Sequence, residues 1–306
     1  MRKAMLKTIC AACWIAGAWE ISAGAGDRIA TGGPPSTESK PSGIIERYLK
    51  MPFPEEDRVG EARMARLKVL DELKGLPGVP QAIGAALQTI NDPLRRRELV
   101  EVLRHFPVRE SADCLTKLLE DPDDGVRWEA IHVLRMYSRR VDRVGPERRV
   151  LRKDLVPSVE GLVPVLIKAA GDRSENCRVT ALYALADSLD PAAVDELRRR
   201  LEDPGEQVRL HAACFLTEFH DASGLPEMRK ALDRLREGKK DDVRRYGDAG
   251  LLLSSFERIT GKSFGPLPLN PLLHSIIEKG QEAEATYERL IETWAAWWAW
   301  EPPSKR

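Results

Sequence analysis

The chain has 306 residues, 31% of them charged, and its 48 basic side chains balance 48 acidic ones. A neutral chain has no net field with which to collect nucleic acid, and no uninterrupted apolar run is long enough to span a bilayer. Leu, Arg, Ala and Glu dominate while aromatics contribute only 6%, which is helical composition in a chain long enough to bury a sizeable core.

Arg2, Lys3 and Lys7 form a basic start, Ile9 to Ala18 a short apolar stretch, and Ala23-Gly24-Ala25 a small-residue cleavage site. That order predicts a signal peptide over 1–25 and therefore an exported, periplasmic or extracellular protein; an apolar first helix is the other reading. Cleavage removes three basic residues against Glu20 and leaves a slightly acidic chain. It also removes Cys10 and Cys13. Cys114, Cys177 and Cys214 remain, without metal-site spacing, inside helical patterns, and read as small core residues. A Cys177–Cys214 disulfide requires their helices to stack at the right Cβ separation. Residues 26–43, rich in Gly, Pro, Ser and Thr, read as a flexible linker.

Helical periodicity begins with a short piece at Ile44–Leu49 and a stronger run at Glu55–Leu73. Val79–Ile90 and Leu94–Phe106 form a degenerate pair broken at Asn91-Asp92-Pro93, a normal helix start. Three clear pairs follow: Ser111–Glu120 with Asp124–Tyr137, Leu162–Ala170 with Glu175–Leu189, and Ala192–Glu202 with Glu206–Phe219. A stretched fourth pair is Leu225–Leu235 with Asp242–Thr260.

A phrase recurs in the three clear pairs. Asp121, Asp172 and Asp203 each precede an Arg by six residues (Arg127, Arg178, Arg209), and each Arg precedes an Ala by three (Ala130, Ala181, Ala212). Such a repeat, with two helices per unit, predicts an all-α solenoid of antiparallel helix pairs. Asp or a nearby polar residue caps the second helix, and the small Ala admits the neighbouring helix. Val243-Arg244 continues the phrase in the fourth pair, with Gly247 and Gly250 placed to face a neighbour. The expected organisation is a solenoid over 44–265, with an insertion at 138–156 and a capping segment over 266–306. The insertion carries Arg139, Arg140, Arg143, Arg148, Arg149, Arg152 and Lys153 against Asp142, Glu147 and Asp154, and reads as a solvated loop.

The repeat phrase resembles the HEAT family, in particular the short bacterial units named after phycobilisome lyases, over roughly residues 77–260. Ile259-Thr260-Gly261-Lys262-Ser263-Phe264-Gly265 and Trp294-Ala295-Ala296-Trp297-Trp298 together resemble the C-terminal signature of some exported bacterial members. The resemblance implies a fold and leaves activity open.

Catalytic constellations are missing: none of the five His is followed by Glu, and there is no H-E-x-x-H, phosphate loop or G-x-S-x-G. No catalytic residue, metal site or cofactor is assigned. Second helices of such units usually line the concave face. Positions one, five and eight after the repeat Arg put Trp128, His132, Arg135 and Tyr183 on that side, a mixed aromatic and charged patch suited to a protein partner; packing between repeats is the other reading. In the tail, Trp294 and Trp298 share one helix face continued by Tyr287, Leu290 and Ile291, which reads as a cap, and Trp300 is left as a surface candidate. The expected function is a non-catalytic protein-interaction scaffold. An envelope or polysaccharide adaptor acting through the tail, and an enzyme or lyase accessory subunit, are the alternatives.

Overall fold

The computed structural model describes residues 40–51, 61–138, 141–144, 148–151, 161–238, 245–267 and 280–300; the targeting segment and most of the linker lie outside them. Thirteen α-helices among the described residues form six antiparallel pairs and a tail. The pairs are α1 (Pro41–Leu49) with α2 (Glu61–Lys74), α3 (Val79–Leu87) with α4 (Pro93–Leu103), α5 (Val108–Leu118) with α6 (Asp124–Ser138), α7 (Leu162–Ala169) with α8 (Glu175–Ser188), α9 (Ala193–Arg199) with α10 (Glu206–Leu216), and α11 (Leu225–Glu237) with α12 (Arg245–Thr260); the tail is α13 (Gly280–Trp300). The first two helices, read from sequence as separate pieces, make a complete unit. Helix α1 begins at Pro41, inside the expected linker, because proline at a first helical position needs no N–H partner.

The Arg-rich insertion departs from the expected loop. It contains an antiparallel hairpin, β1 (Val141–Val144) and β2 (Arg148–Leu151), with Val141 opposite Leu151 and Val144 opposite Arg148. Val141, Val144 and Val150 are β-branched residues of the kind enriched in strands.

Second helices α4, α6, α8, α10 and α12 pack on one another in sequence and form the inner layer, with the first helices outside. Ala130, Ala181 and Ala212 are fully buried where these helices meet. Replacing Ala181 or Ala212 with Leu should therefore overpack the stack and cost about 1–3 kcal/mol. A thermal melt checks this; unchanged midpoints in both variants would place the helix contact elsewhere.

The repeat Arg forms a ladder between units. Arg127 holds Asp172 through two bonds (2.8 and 3.0 Å) and donates to the Asp121 and Pro122 carbonyls of its own loop. Arg178 repeats this on Asp203 and on the Asp172 carbonyl. Arg209 donates to the Asp203 and Pro204 carbonyls and reaches Glu227 at 3.4 Å. Each Asp in turn accepts the backbone N–H two residues on, at Asp123, Ser174 and Gly205. The repeat Asp thus shapes the turn rather than the helix N-terminus; on α6 it is Asp123 that accepts the Val126 N–H.

Three rungs escaped the sequence pattern. Arg66 bonds Glu98 and the Met51 carbonyl. Arg96 bonds Asp121 and the Ile90 and Asn91 carbonyls. In the last pair Arg245 makes a rung: it bonds the Leu235 carbonyl and, bidentately, Glu288 of α13. Arg244 lies outside the described residues. Gly247 is exposed, whereas Gly250 does face a neighbour, since a Cβ there would stand 2.9 Å from the Tyr287 hydroxyl.

Helix α13 lies on α11 and α12. Tyr287, Leu290, Ile291 and Trp294 are buried, and Phe256 stacks on Trp294 at 5.1 Å and meets Trp298 at 4.9 Å. The turn after α12 completes this cluster. Gly261, at φ +69°, donates its N–H to the Glu257 carbonyl and ends the helix, and the chain then delivers Phe264 edge-on to Trp294 at 4.8 Å. The Thr-Gly-x-x-Phe-Gly stretch and the Trp run, distant in sequence, are two halves of one packed unit.

Candidate functional site

Helix α6 places Trp128, His132 and Arg135 along its inner side, one helical turn apart. Trp128 and His132 are half-buried and stacked, with ring centroids 5.3 Å apart and planes inclined by 10°. Burial, with Arg135 and Arg104 nearby, lowers the His132 pKa to about 4. The pair is therefore a neutral aromatic platform at physiological pH.

Arg135 and Tyr183 form a second pair across units. The Arg135 guanidinium lies 4.5 Å from the Tyr183 ring centroid, and its Nε donates to the fully buried Asp187 at 2.7 Å. Tyr183 continues edge-on to Phe215 at 4.7 Å and His211 at 5.2 Å on α10. The four sequence candidates thus lie on one face as two pairs. Trp128–His132 stays half-exposed on that face, and Arg135–Tyr183 joins α6 to α8. The next positions of the same stripe, Leu210, Cys214 and Thr217, are buried under α12, where Arg258 donates to the Thr217 hydroxyl at 2.9 Å. The open face therefore ends at α8.

Residues that the sequence reading did not single out flank the platform. Burial pushes the Glu129 carboxyl up to about 7; Glu101 adds to this, and Arg97 and Arg104 oppose it. Burial also raises the Glu101 pKa. Arg97 Nε is buried and has no hydrogen-bond partner among the described residues. Glu129 lies on α6, but Arg97, Glu101 and the capping Arg104 belong to α4, whose repeat phrase lacks the Asp and Ala that mark the clear units. The only sequence signal was the six-residue step from Ile90 to Arg96.

The HEAT-repeat family profile matches residues 80–147 and 163–247, half of the chain. The chain belongs to the HEAT-repeat family. Among solved structures, this HEAT chain is similar to the complex of CpcE and CpcF of phycocyanin lyase from Nostoc sp. PCC7120, with 18% identity over 88% of this chain and 99% of that one and a TM-score of 0.41. It is also similar to a designed armadillo repeat protein in complex with the peptide (KR)4, with 14% identity, 71% and 98% coverage and a TM-score of 0.40. Human deoxyhypusine hydroxylase in complex with glycerol matches with 18% identity, 83% and 97% coverage and a TM-score of 0.24. These are likenesses of repeat architecture and carry nothing about activity. No curated protein is similar in sequence.

Elsewhere on the HEAT solenoid, Cys177 and Cys214 are free and buried, and Cys114 is free and half-buried. Burial raises the pKa of all three thiols. Among the described residues no three His, Cys, Asp or Glu side chains are grouped to hold a metal ion, and no helix is long and apolar enough to cross a membrane. In the tail, Trp300 is 88% exposed, and Trp297 is half-buried with the Lys262 ammonium 5.7 Å from its ring centroid.

Proposed function

We propose that this HEAT protein is an exported, non-catalytic scaffold that binds a protein partner through the inner face of α4, α6 and α8. The supporting observation is the Trp128–His132 platform: a half-exposed, uncharged aromatic pair, held flat by stacking, with Arg135 and Arg104 near His132 and with Glu101, Arg97 and Arg104 around the adjacent Glu129. An aromatic anchor ringed by charged groups is the composition of a binding hot spot. The unit-to-unit Arg ladder holds this face rigid, so little ordering is needed on binding.

The expected result is that Trp128→Ala/His132→Ala melts close to the parent protein but loses the partners captured by it from an envelope extract. Retention of every partner by the folded variant would remove the inner face from the proposal. Export rests on the Arg2-to-Ala25 pattern. N-terminal sequencing of the mature protein should then start near Gly26; an intact Met1 on cytoplasmic protein would refute it.

The exposed Trp300 favours a second reading, an envelope or polysaccharide adaptor acting through the tail. It requires Trp300→Ala, rather than the inner-face variant, to abolish surface binding.

A further inference from the structure

We propose that the valley between α3 and α5, on the outer side of the solenoid, binds a basic amphipathic segment of a protein partner. This site is independent of the inner face. The valley encloses about 820 Å³ and has two unlike walls. From Gly75 to Asn91 the chain carries no charged residue, in a protein that is 31% charged. Helix α3 therefore offers only small or neutral side chains, with Gln81, Ala85 and Gln88 turned outward.

The α5 wall is acidic. Glu110, Asp113 and Lys117 follow at steps of three and four, which align them along one side of the helix, and Glu120 follows in the turn just past its end. Among the described residues Glu110 and Asp113 have no ion-pair partner. Glu120 meets Lys168 at 2.6 Å, but both side chains are about two-thirds exposed or more. Such a pair is worth little and exchanges readily for a better one.

The floor is shaped by one missing side chain. A Cβ on Gly84 would stand 3.4 Å from Cys114 Sγ, so the glycine leaves a shallow depression over the thiol. A ligand that fits both walls carries Lys or Arg on the flank toward α5 and small apolar groups on the flank toward α3 and the floor. The valley's cations are Lys117 and Arg96, the latter bound to Asp121, against Glu110, Asp113, Glu120 and Asp121, so an acidic segment meets net repulsion and finds no compensating cation on α3.

The test uses the full chain and a labelled Lys/Ala/Leu peptide of about twelve residues, the length of α5, with lysines at helical i,i+3/i+4 spacing. The control is the same peptide with Glu for Lys. Fluorescence anisotropy should show binding of the Lys peptide alone, weakening as salt rises. Glu110→Lys/Asp113→Lys and Gly84→Leu should each weaken it at least about tenfold, while Trp128→Ala leaves it unchanged. The charge-reversal variant alters only exposed positions, so a matching melt secures its fold. Bound peptide should also slow alkylation of Cys114, read by peptide-level mass spectrometry. Equal binding of the Glu peptide, unchanged affinity in both valley variants, or no protection of Cys114 would overturn the site. Concentration-dependent dimerisation lost in the same variants would overturn it too, by assigning the valley to a second copy of the chain.

Discussion

Truncating the chain before Glu284 should abolish cooperative folding of the last helix pair and produce aggregation. Helices α11 and α12 bury Met228, Leu232, Leu252, Leu253 and Phe256 in one cluster with Tyr287, Leu290, Ile291 and Trp294 of α13. A solenoid end without such a cover leaves an apolar face in water. The truncation also removes Glu288 and leaves the guanidinium of Arg245, now 4% exposed, without its carboxylate. Within the intact chain, Trp294→Ala should cost about 3–5 kcal/mol, the usual range for emptying a large buried aromatic site. Trp300→Ala should leave the melt unchanged, because that ring is 88% exposed. Thermal melts of the three proteins decide the matter. A soluble truncation with a native midpoint would reject the cap and promote the adaptor reading of the tail.

Breaking one rung of the Arg ladder is expected to be nearly as damaging. Arg178→Ala leaves the Asp203 side chain, 1% exposed, facing only Arg200 at 3.5 Å and the Gly205 N–H. Stranding one partner of a buried ion pair costs about 3–5 kcal/mol, more than the pair contributes relative to an apolar replacement. Burial alone would raise the Asp203 carboxyl; the Arg178 and Gly205 hydrogen bonds outweigh it and hold the pKa below the usual range. Asp172 behaves alike under Arg127 and Ser174. A carboxylate with a depressed folded pKa contributes stability that is present above its unfolded value, about 4, and is lost as pH falls through the folded value. Denaturant melts from pH 7 to pH 3 should therefore show the parent losing stability below about pH 4. Arg178→Ala/Asp203→Ala should lose less over that interval. Equal pH slopes in the two proteins would show that the rung is not a source of acid lability.

The repeat was legible because its marks are local. Asp, Arg and Ala at fixed offsets encode a turn, a bond to the preceding loop and a close helix contact, all within ten residues of one another. Where a unit lacks the Asp or the Ala, the rung remained hidden. Arg66, Arg96 and Arg245 hold the same position, but Arg66 and Arg245 use Glu98 and Glu288 as partners, and these carry no signature. The Arg-rich insertion shows the same limit, since alternation over four residues is too short a signal to separate a ribbon from a loop.

The candidate face was legible in part. The stepping of α6 by helical turns is a property of the sequence, and it put Trp128, His132 and Arg135 on one side. That Arg135 reaches Asp187, fifty-two positions on, is a property of the superhelix. So is the burial of the same stripe at Leu210 and Cys214.

Composition and periodicity alone thus determined a helical solenoid, its repeat unit and the order of its helices, because each depends on neighbours within a turn or two. Tertiary structure decided which Arg side chains join successive units, which tryptophans are covered, and where the inner face stays open. Those outcomes depend on desolvation, and whether a side chain is desolvated is settled by helices that arrive from dozens of residues away.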